Sequence, residues 1–268
     1  MAKQRIDVLL VEQGFFPSRE KARAAIMAGQ VLADRQRVDK AGTKVEDGVN
    51  IEIKGDVMPY VSRGGLKLEK AMKLFSFDLA GTTCMDIGAS TGGFTDCMLQ
   101  HGASRVYAVD VGYGQLDWKL RNDPRVVVME RTNIRHVTAE DIGEPMDFIS
   151  IDVSFISLKL VLPVAKSLLH PQGKLIALIK PQFEAGRQQV GKNGVVRDAA
   201  IHTQVIEKVV DFAQELGLTP EGLSFSPIRG PKGNVEFLLS LSQAQLPQNV
   251  VTAEFIDKIV QEAHDYQW

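Results

Sequence analysis

Three charged residues stand in otherwise apolar predicted strands, where their side chains could orient a nucleophile and accept its proton. Asp152 ends the run ISID, Lys180 ends LIALIK before a proline, and Glu236 interrupts an apolar run. Lys67 lies in a helix-forming segment upstream and could also point into a site, although a lysine on a helix is normally solvated. Each could be an ordinary exposed position, but charges at the ends of neighbouring strands open onto one crevice. Their shared pattern predicts a common site for acid–base or positioning chemistry.

Residues 83–96, TCMDIGASTGGFTD, contain a glycine-rich turn that predicts a ligand-binding site in addition to these charges. A strand that leads through such a turn into a helix N-terminus typically holds a nucleotide-like ligand. The negative charge of Asp86 suits a cationic sulfonium better than a pyrophosphate. A tight turn without ligand is the alternative. The candidate ligand-binding residues in this stretch are Asp86, Gly88, Ala89, Ser90, Gly92, Gly93 and Phe94.

Two residues after later strands extend this predicted ligand site. Asp110 ends the second predicted strand, where an acidic residue hydrogen-bonds a ribose in doubly wound folds. Asn133 follows the third strand, at a position where an adenine edge could bind. The glycine run does not match G-x-G-x-x-G, so S-adenosylmethionine is favoured over a nicotinamide dinucleotide. Asp152 is expected to favour the sulfonium as well.

The elements that must position these residues follow an alternating pattern. Strands are predicted at 83–88, 105–110, 126–129, 148–153 and 174–180, with helices between them, for example at 94–101 and 157–169. A helix at 199–216, two strands at 222–227 and 234–240, and a helix at 253–264 follow. The runs ISIDV and LIALI are apolar throughout, as expected for strands covered on both faces. This pattern predicts an α/β fold with a largely parallel sheet.

The first 56 residues form a separate small α+β unit in this prediction. Two short helices end near Gly14 and Gly29, and two strands follow at 30–33 and 50–54. Residues 57–61 are predicted to be an extended linker because of Pro59. Basic residues could contact RNA phosphates, although a solvated helix face is the alternative. The candidates are Arg5, Arg19, Lys21, Arg23, Arg35 and Arg37, with Arg63 beyond the linker.

Composition excludes several broad classes. The 268 residues are 44% hydrophobic and 24% charged, with a formal net charge of −2, so any surface for nucleic acid must be local. Cys84 and Cys97 have no metal-ligand spacing, and no metal site is expected. The chain lacks a signal-peptide core and a bilayer-length apolar run. A cytoplasmic protein is therefore expected.

The first unit resembles the RNA-binding fold first seen in small-subunit ribosomal protein S-four. The resemblance rests on a series that covers about a fifth of the chain. The series is Arg5-x-Asp7, Leu10, Gly14, Ser18-Arg19, Ala22, Ile26 and Gly29-x-Val31. It implies an RNA-binding domain at residues 1–56.

Lys67, Asp152, Lys180 and Glu236 resemble the Lys-Asp-Lys-Glu tetrad of ribose 2′-O-methyltransferases of the FtsJ type. Together with the glycine turn and four further motifs, they resemble the TlyA family, whose members are often labelled hemolysin A. The further motifs are Ser62-Arg63-Gly64-Gly65-x-Lys67-Leu68, Asp152-Val-Ser-Phe155 and Lys180-Pro-Gln-Phe-Glu184, followed by Gly191…Gly194-Val-Val-Arg197-Asp198.

This resemblance implies a Rossmann-like class I S-adenosylmethionine-dependent methyltransferase domain at residues 62–268. It implies 2′-O-methylation of cytidines in small- and large-subunit ribosomal RNA, with ribosomal subunits as partners. In this hypothesis Lys180 is the base or orienting group for the 2′-oxygen, and Asp152 holds Lys180. Lys67 and Glu236 position the ribose. A membrane-damaging toxin and a non-catalytic RNA-binding assembly factor are the alternatives.

Overall fold

The computed structural model describes residues 3–16, 18–27, 29–46, 48–54, 58–244 and 250–268. The chain folds as two units with separate cores, Met1–Pro59 and Tyr60–Trp268. We call them the first and the second unit. Val57, at the start of the predicted linker, lies outside the described residues.

Two helices of the first unit pack beside short antiparallel strands. Strand β2 pairs with β3 and β5, and β1 pairs with β4. The elements are β1 (Lys3–Arg5), α1 (Ile6–Glu12), α2 (Arg19–Met27), β2 (Val31–Ala33), β3 (Gln36–Arg37), β4 (Lys44–Glu46) and β5 (Ile51–Ile53). The two predicted helices and the two predicted strands are confirmed, whereas β1, β3 and β4, of two or three residues each, were not predicted.

Helix α2 shows why the sequence folds this way. Its apolar face, with Ala22, Ala25 and Ile26, is at most 5% exposed and packs into the core of this unit. The hydroxyl of Ser18 accepts a hydrogen bond from the Lys21 amide at 3.3 Å, as an N-cap does. Burial of one face and capping of the first turn therefore both stabilise this nine-residue helix.

The second unit contains a seven-stranded sheet covered on both faces. Its helices are α3 (Gly64–Phe75), α4 (Gly93–Gln100), α5 (Trp118–Arg121), α6 (Ala139–Ile142), α7 (Leu162–Leu168), α8 (Pro181–Glu184), α9 (Ala199–Glu215) and α10 (Ala253–Asp265). Its strands are β6 (Thr83–Ile87), β7 (Arg105–Val109), β8 (Val126–Met129), β9 (Met146–Ile151), β10 (Leu169–Ile179), β11 (Thr219–Phe225) and β12 (Phe237–Ser242). Short 3₁₀ helices lie at Ile134–His136, Leu158–Leu160, Arg187–Gln189 and Lys192–Gly194.

The strand order is β11-β12-β10-β9-β6-β7-β8. The five strands from β10 to β8 are parallel, and β12 runs antiparallel to both β10 and β11. One buried cluster joins one face of the sheet to α7, α9 and α10, and another joins the opposite face to α3 and α4. The predicted α/β fold with a largely parallel sheet is confirmed, and the carboxyl ends of its parallel strands share one edge.

The helix predicted at 157–169 is shorter than expected. Ser157 caps a 3₁₀ turn, α7 begins at Leu162, and Leu169 already belongs to β10. Pro163 explains the late start because proline is favoured in the first turn of a helix and disfavoured within it.

Between α9 and α10, a buried histidine makes the second unit sensitive to acid. His202 is 0% exposed, its Nε2 donates to the Val196 carbonyl at 3.1 Å, and its Nδ1 lies 3.0 Å from Nε2 of His264. Burial, reinforced by His264, lowers the pKa of His202 from 6.5 to about 4. The fold thus favours the neutral ring, so this stabilisation is complete above pH 6.5 and is lost as the pH falls towards 4.

We expect protonation of His202 in the unfolded chain to lower the free energy of unfolding by about 2 kcal/mol when the pH falls from 7 to 5. Urea unfolding of the full chain at both pH values measures this loss. In a His202→Phe variant the loss should shrink by that amount, whereas the exposed control His136→Gln should retain it. Equal losses in both variants would contradict the assignment.

Candidate active site

The sheet brings three of the predicted charges to one edge, and helix α3 brings Lys67 to the same place. Asp152 follows β9 directly and Lys180 follows β10 directly, so both lie at carboxyl ends of parallel strands. Glu236 was expected inside a strand, but β12 begins one residue later, at Phe237. Because β12 is antiparallel and Phe237 pairs with Ile179, the start of β12 lies beside the end of β10.

The four side chains form a row of alternating charge, which we call the tetrad. Lys67 Nζ lies 2.7 Å from Glu236 Oε2 and 3.5 Å from Asp152 Oδ2. Lys180 Nζ lies 2.5 Å from Asp152 Oδ1 and donates to Ser154 Oγ at 3.0 Å. The order is therefore Glu236, Lys67, Asp152, Lys180. Asp152 bridges the two lysines, which is why two cations can lie so close together.

Burial strengthens these interactions. Lys67 is 7% exposed, Lys180 8% and Glu236 1%. Burial lowers the pKa of Lys67, but Asp152 and Glu236 outweigh it and hold that pKa above its usual value. Burial raises the pKa of Asp152, but Lys67 and Lys180 outweigh it and hold that pKa below its usual value. Both groups are thus charged at neutral pH, and the charges stabilise one another.

Glycines at a helix crossing allow Lys67 to reach the strand ends. The start of α3 packs on the start of α4, where a Cβ on Gly93 would lie 2.8 Å from the Gly65 amide nitrogen. A Cβ on Gly65 would collide with the ring of Tyr60. The two helices can therefore approach closely, and Lys67 in α3 extends towards Glu236 and Asp152.

The glycine turn after β6 is shaped by its neighbours. Gly88 has a φ of +90°, and a Cβ there would lie 2.5 Å from the Asp152 carbonyl oxygen. Asp110 accepts hydrogen bonds from the Ser90 and Gly112 amides, both at 2.7 Å. Asp110 thereby fastens this turn to the loop after β7. Gly92, at φ +94°, faces the side chains of Leu116 and Leu120.

Asp86 lies beneath the turn and is 1% exposed. It accepts hydrogen bonds from the amide and hydroxyl of Thr95, at 2.9 and 2.7 Å, and from Ser150 Oγ at 3.1 Å. Burial raises the pKa of Asp86 to about 7, although these hydrogen bonds oppose the rise. Asp86 therefore anchors the first turn of α4, a partnership that sequence reasoning missed. Its direct interaction with a sulfonium stays a prediction.

Two clefts lie on either side of Asp152. The first, of about 520 Å³, holds the tetrad, and we call it the tetrad cleft. Predicted residues Asp86, Ala89, Gly93 and Phe94 border it too, as does Arg63. The second, of about 720 Å³, is bordered by Asp110 and Asn133, and we call it the Asp110 cleft. Gly88, Ser90, Asp152 and Ser154 border both clefts, so a ligand in one could reach a ligand in the other.

Phe155 ends the motif Asp152-Val-Ser-Phe155, and the sequence predicted no role for it. Its side chain is 90% exposed at the rim of the Asp110 cleft, although its φ of +63° is unusual for a bulky residue. The ring lies 4.9 Å from that of Phe183. Glu184 accepts hydrogen bonds from Ser157 Oγ and the Leu158 amide, both at 2.7 Å. The motif after β10 therefore braces the strained loop after β9.

In the first unit, one buried carboxylate gathers three of the predicted RNA-binding residues. Asp7 is 0% exposed and lies 2.9 Å from Arg5 Nε, 2.9 Å from a terminal nitrogen of Arg19 and 3.5 Å from Arg23 Nε. The hydrogen bond from Arg5, above all, holds the pKa of Asp7 below its usual range. Three guanidiniums, each about half exposed, are thereby held together, and the role of Asp7 was not predicted.

Among the described residues, the other predicted RNA-binding residues of the first unit form no ion pair with Asp7. Lys21 is half-buried on α2, and Arg37 lies exposed on β3. Arg35 occupies the exposed turn between β2 and β3 with a φ of +65°. These residues, like the cluster, remain predicted RNA contacts.

Comparisons with known proteins are consistent with this architecture. The model of the FtsJ-like methyltransferase family matches residues 60–243, and that of the S4 domain matches residues 4–51. YqxC of Bacillus subtilis is 53% identical over 98% of this chain and 94% of its own. The Mycobacterium tuberculosis 16S/23S rRNA (cytidine-2′-O)-methyltransferase TlyA is 46% identical over 89% of this chain and 90% of its own.

A solved structure of a Streptococcus thermophilus protein, assigned provisionally as a hemolysin, superposes with a TM-score of 0.77. It is 50% identical and covers 98% of this chain and 96% of its own. Within the residues that the structure describes, none of the helices has both the length and the apolar character that crossing a bilayer requires.

Proposed function

Because the chain belongs to the FtsJ-like methyltransferase family and carries an S4 domain, we propose that it methylates ribosomal RNA. The acceptor is the ribose 2′-oxygen of a cytidine, the donor is S-adenosylmethionine, and RNA of both the small and the large ribosomal subunit is the substrate. The relative from Mycobacterium tuberculosis bears that activity in its name. The observation that carries the proposal is the buried tetrad between the two clefts.

The residues around the Asp110 cleft fit S-adenosylmethionine. The cleft volume of about 720 Å³ lies within the range of cofactor sites. Asp110 would accept from the ribose hydroxyls, Asn133 would contact the adenine edge, and the turn at Gly88 lets the backbone approach the ligand. When bound, S-adenosylmethionine supplies a methyl group already activated by its sulfonium.

The tetrad would prepare the acceptor oxygen. A ribose hydroxyl is a weak nucleophile until it loses its proton, so it must be oriented and deprotonated. Lys180 is the orienting group or the base at the 2′-oxygen, and Asp152 fixes its Nζ at 2.5 Å. Lys67 and Glu236 close the other end of the row, where they position the ribose.

Exposed groups would hold the RNA near this site. The exposed ring of Phe155 could stack on the base of the acceptor nucleotide, since stacking requires only an accessible face. Arg63, at the tetrad cleft, could contact a neighbouring phosphate. In the first unit, the guanidiniums around Asp7 would bind the RNA backbone, which fixes position without reading sequence. Ribosomal RNA as substrate implies action in the cytoplasm.

Methylation of purified ribosomal subunits with labelled S-adenosylmethionine tests this proposal. We expect incorporation into small and large subunits, and mapping should locate the label on the 2′-oxygen of a cytidine. Lack of incorporation into either subunit by a protein that binds both RNA and S-adenosylmethionine would overturn it in favour of a non-catalytic assembly factor.

A further inference from the structure

A basic pocket lies beside the tetrad cleft, outside the residues assigned above. This pocket of about 390 Å³ is bordered by the cations Arg197, Arg229 and Lys232 and by His202 and His264. Among the described residues, none of those that border it carries a carboxylate side chain. Arg229 borders the tetrad cleft as well, so the two cavities are adjacent.

The three cations differ from others in the same unit. Arg105 lies 2.7 Å from Glu144, and Lys174 lies 2.9 Å from Glu221. By contrast, no carboxylate within the described ranges forms an ion pair with Arg197, Arg229 or Lys232. Their positive charge is therefore available to an anion.

The wall that carries Arg197 is held rigidly. Asn234, 3% exposed, accepts from the Val196 amide at 3.0 Å and donates to the Gly194 carbonyl at 2.9 Å. The buried His202 holds the Val196 carbonyl from the other side. The segment that precedes Arg197 is thus fixed by three hydrogen bonds before any ligand arrives.

The wall that carries Arg229 is held by aromatic rings. Its guanidinium carbon lies 5.0 Å from the centre of the Trp268 ring, and this ring contacts Tyr266 and Phe225 at 5.2 and 6.0 Å. A guanidinium stacked on a ring keeps its N–H groups free in the plane, where they can donate to phosphate oxygens.

We infer that this basic pocket binds a phosphodiester of the substrate RNA next to the acceptor nucleotide. The inference rests on the proposed function and adds a site to it. Rigid, unpaired cations around a small cavity suit a phosphate, and Arg229 connects that cavity to the cleft where the ribose would lie. The pocket thereby fixes the direction in which the RNA strand leaves the tetrad.

The test compares two double variants of the full chain with the same charge change. Arg197→Gln/Lys232→Gln alters the pocket, and Lys208→Gln/Lys258→Gln alters exposed lysines of α9 and α10. Binding of naked ribosomal RNA is measured over a range of salt concentrations. Each lost phosphate contact reduces the slope of log K against log salt by about 0.7 to 0.9.

We expect the pocket variant to bind the RNA about tenfold more weakly at low salt and to lose about 0.7 to 0.9 from that slope, because one phosphate contact is lost. The control should keep the wild-type slope, and both variants should keep the wild-type thermal midpoint. Equal slopes in the two variants would overturn the inference. The inference would also be overturned if the pocket variant bound intact subunits more weakly but bound naked RNA normally, because the pocket would then recognise an acidic protein surface. Because binding is measured without methyl transfer, failure of the proposed activity remains distinguishable.

Discussion

Replacing Lys180 with alanine is expected to lower kcat for methyl transfer by about 10³-fold. Lys180 is placed to orient the acceptor oxygen or, in its neutral form, to accept the proton of that hydroxyl, and Asp152 and Ser154 fix its Nζ. The measurement is single-turnover transfer from labelled S-adenosylmethionine to purified subunits. Binding of S-adenosylmethionine should change little because Lys180 does not border the Asp110 cleft. Binding of RNA should change little because exposed groups elsewhere hold its backbone.

Lys174→Ala provides the matched control for Lys180→Ala. Lys174 lies on the same strand, β10, but it pairs with Glu221 away from the tetrad. Its replacement should leave kcat within about twofold. A Lys180→Ala protein with normal turnover and intact RNA binding would remove Lys180 from the mechanism.

Replacing Lys67 with methionine is expected to destabilise the second unit by about 3 to 5 kcal/mol. The substitution keeps the side chain's length but leaves Glu236, 1% exposed, without its cation 2.7 Å away. An unpaired charge at that depth costs far more than the pair contributes. Urea unfolding of the full chain measures the loss, and methyl transfer should fall in the same variant.

A second substitution separates stability from activity at this pair. Lys67→Met/Glu236→Gln removes both charges, so most of the lost unfolding free energy should return while methyl transfer stays low. Lys73→Met, on the exposed side of α3 where Lys73 pairs with Glu69, should change stability by less than about 0.5 kcal/mol. Recovery of activity in the double variant would show that the pair serves stability alone.

Much of the larger fold follows from the sequence because long apolar runs have a clear period. The helix predicted at 199–216 is observed at Ala199–Glu215, and the strand predicted at 126–129 is observed at Val126–Met129. Helices α5, α6 and α8 were not predicted because four residues are too few to show a helical repeat. Helices of one turn are marginal in isolation, so local caps such as Thr138 with Asp141 and contacts with neighbouring elements hold them.

The site was predictable in its members but not in its pairings. Strand ends that share an edge explain why Asp152 and Lys180 meet. The sequence does not reveal that β12 is antiparallel, and this direction is what brings Glu236 to Lys67. Nor does it reveal that Asp7 or Glu184 would be organising carboxylates, because their partners lie on other elements.

The antiparallel pairing of β12 with β10 also limits how this protein can vary. Glu236 meets Lys67 only while Phe237 stays opposite Ile179, because a slip of one residue would turn every side chain of β12 to the other face. An insertion between Glu236 and the strand is therefore not tolerable, because it would separate Glu236 from Lys67. Natural variants of this protein should therefore keep a fixed spacing from Asn234 to the end of β12.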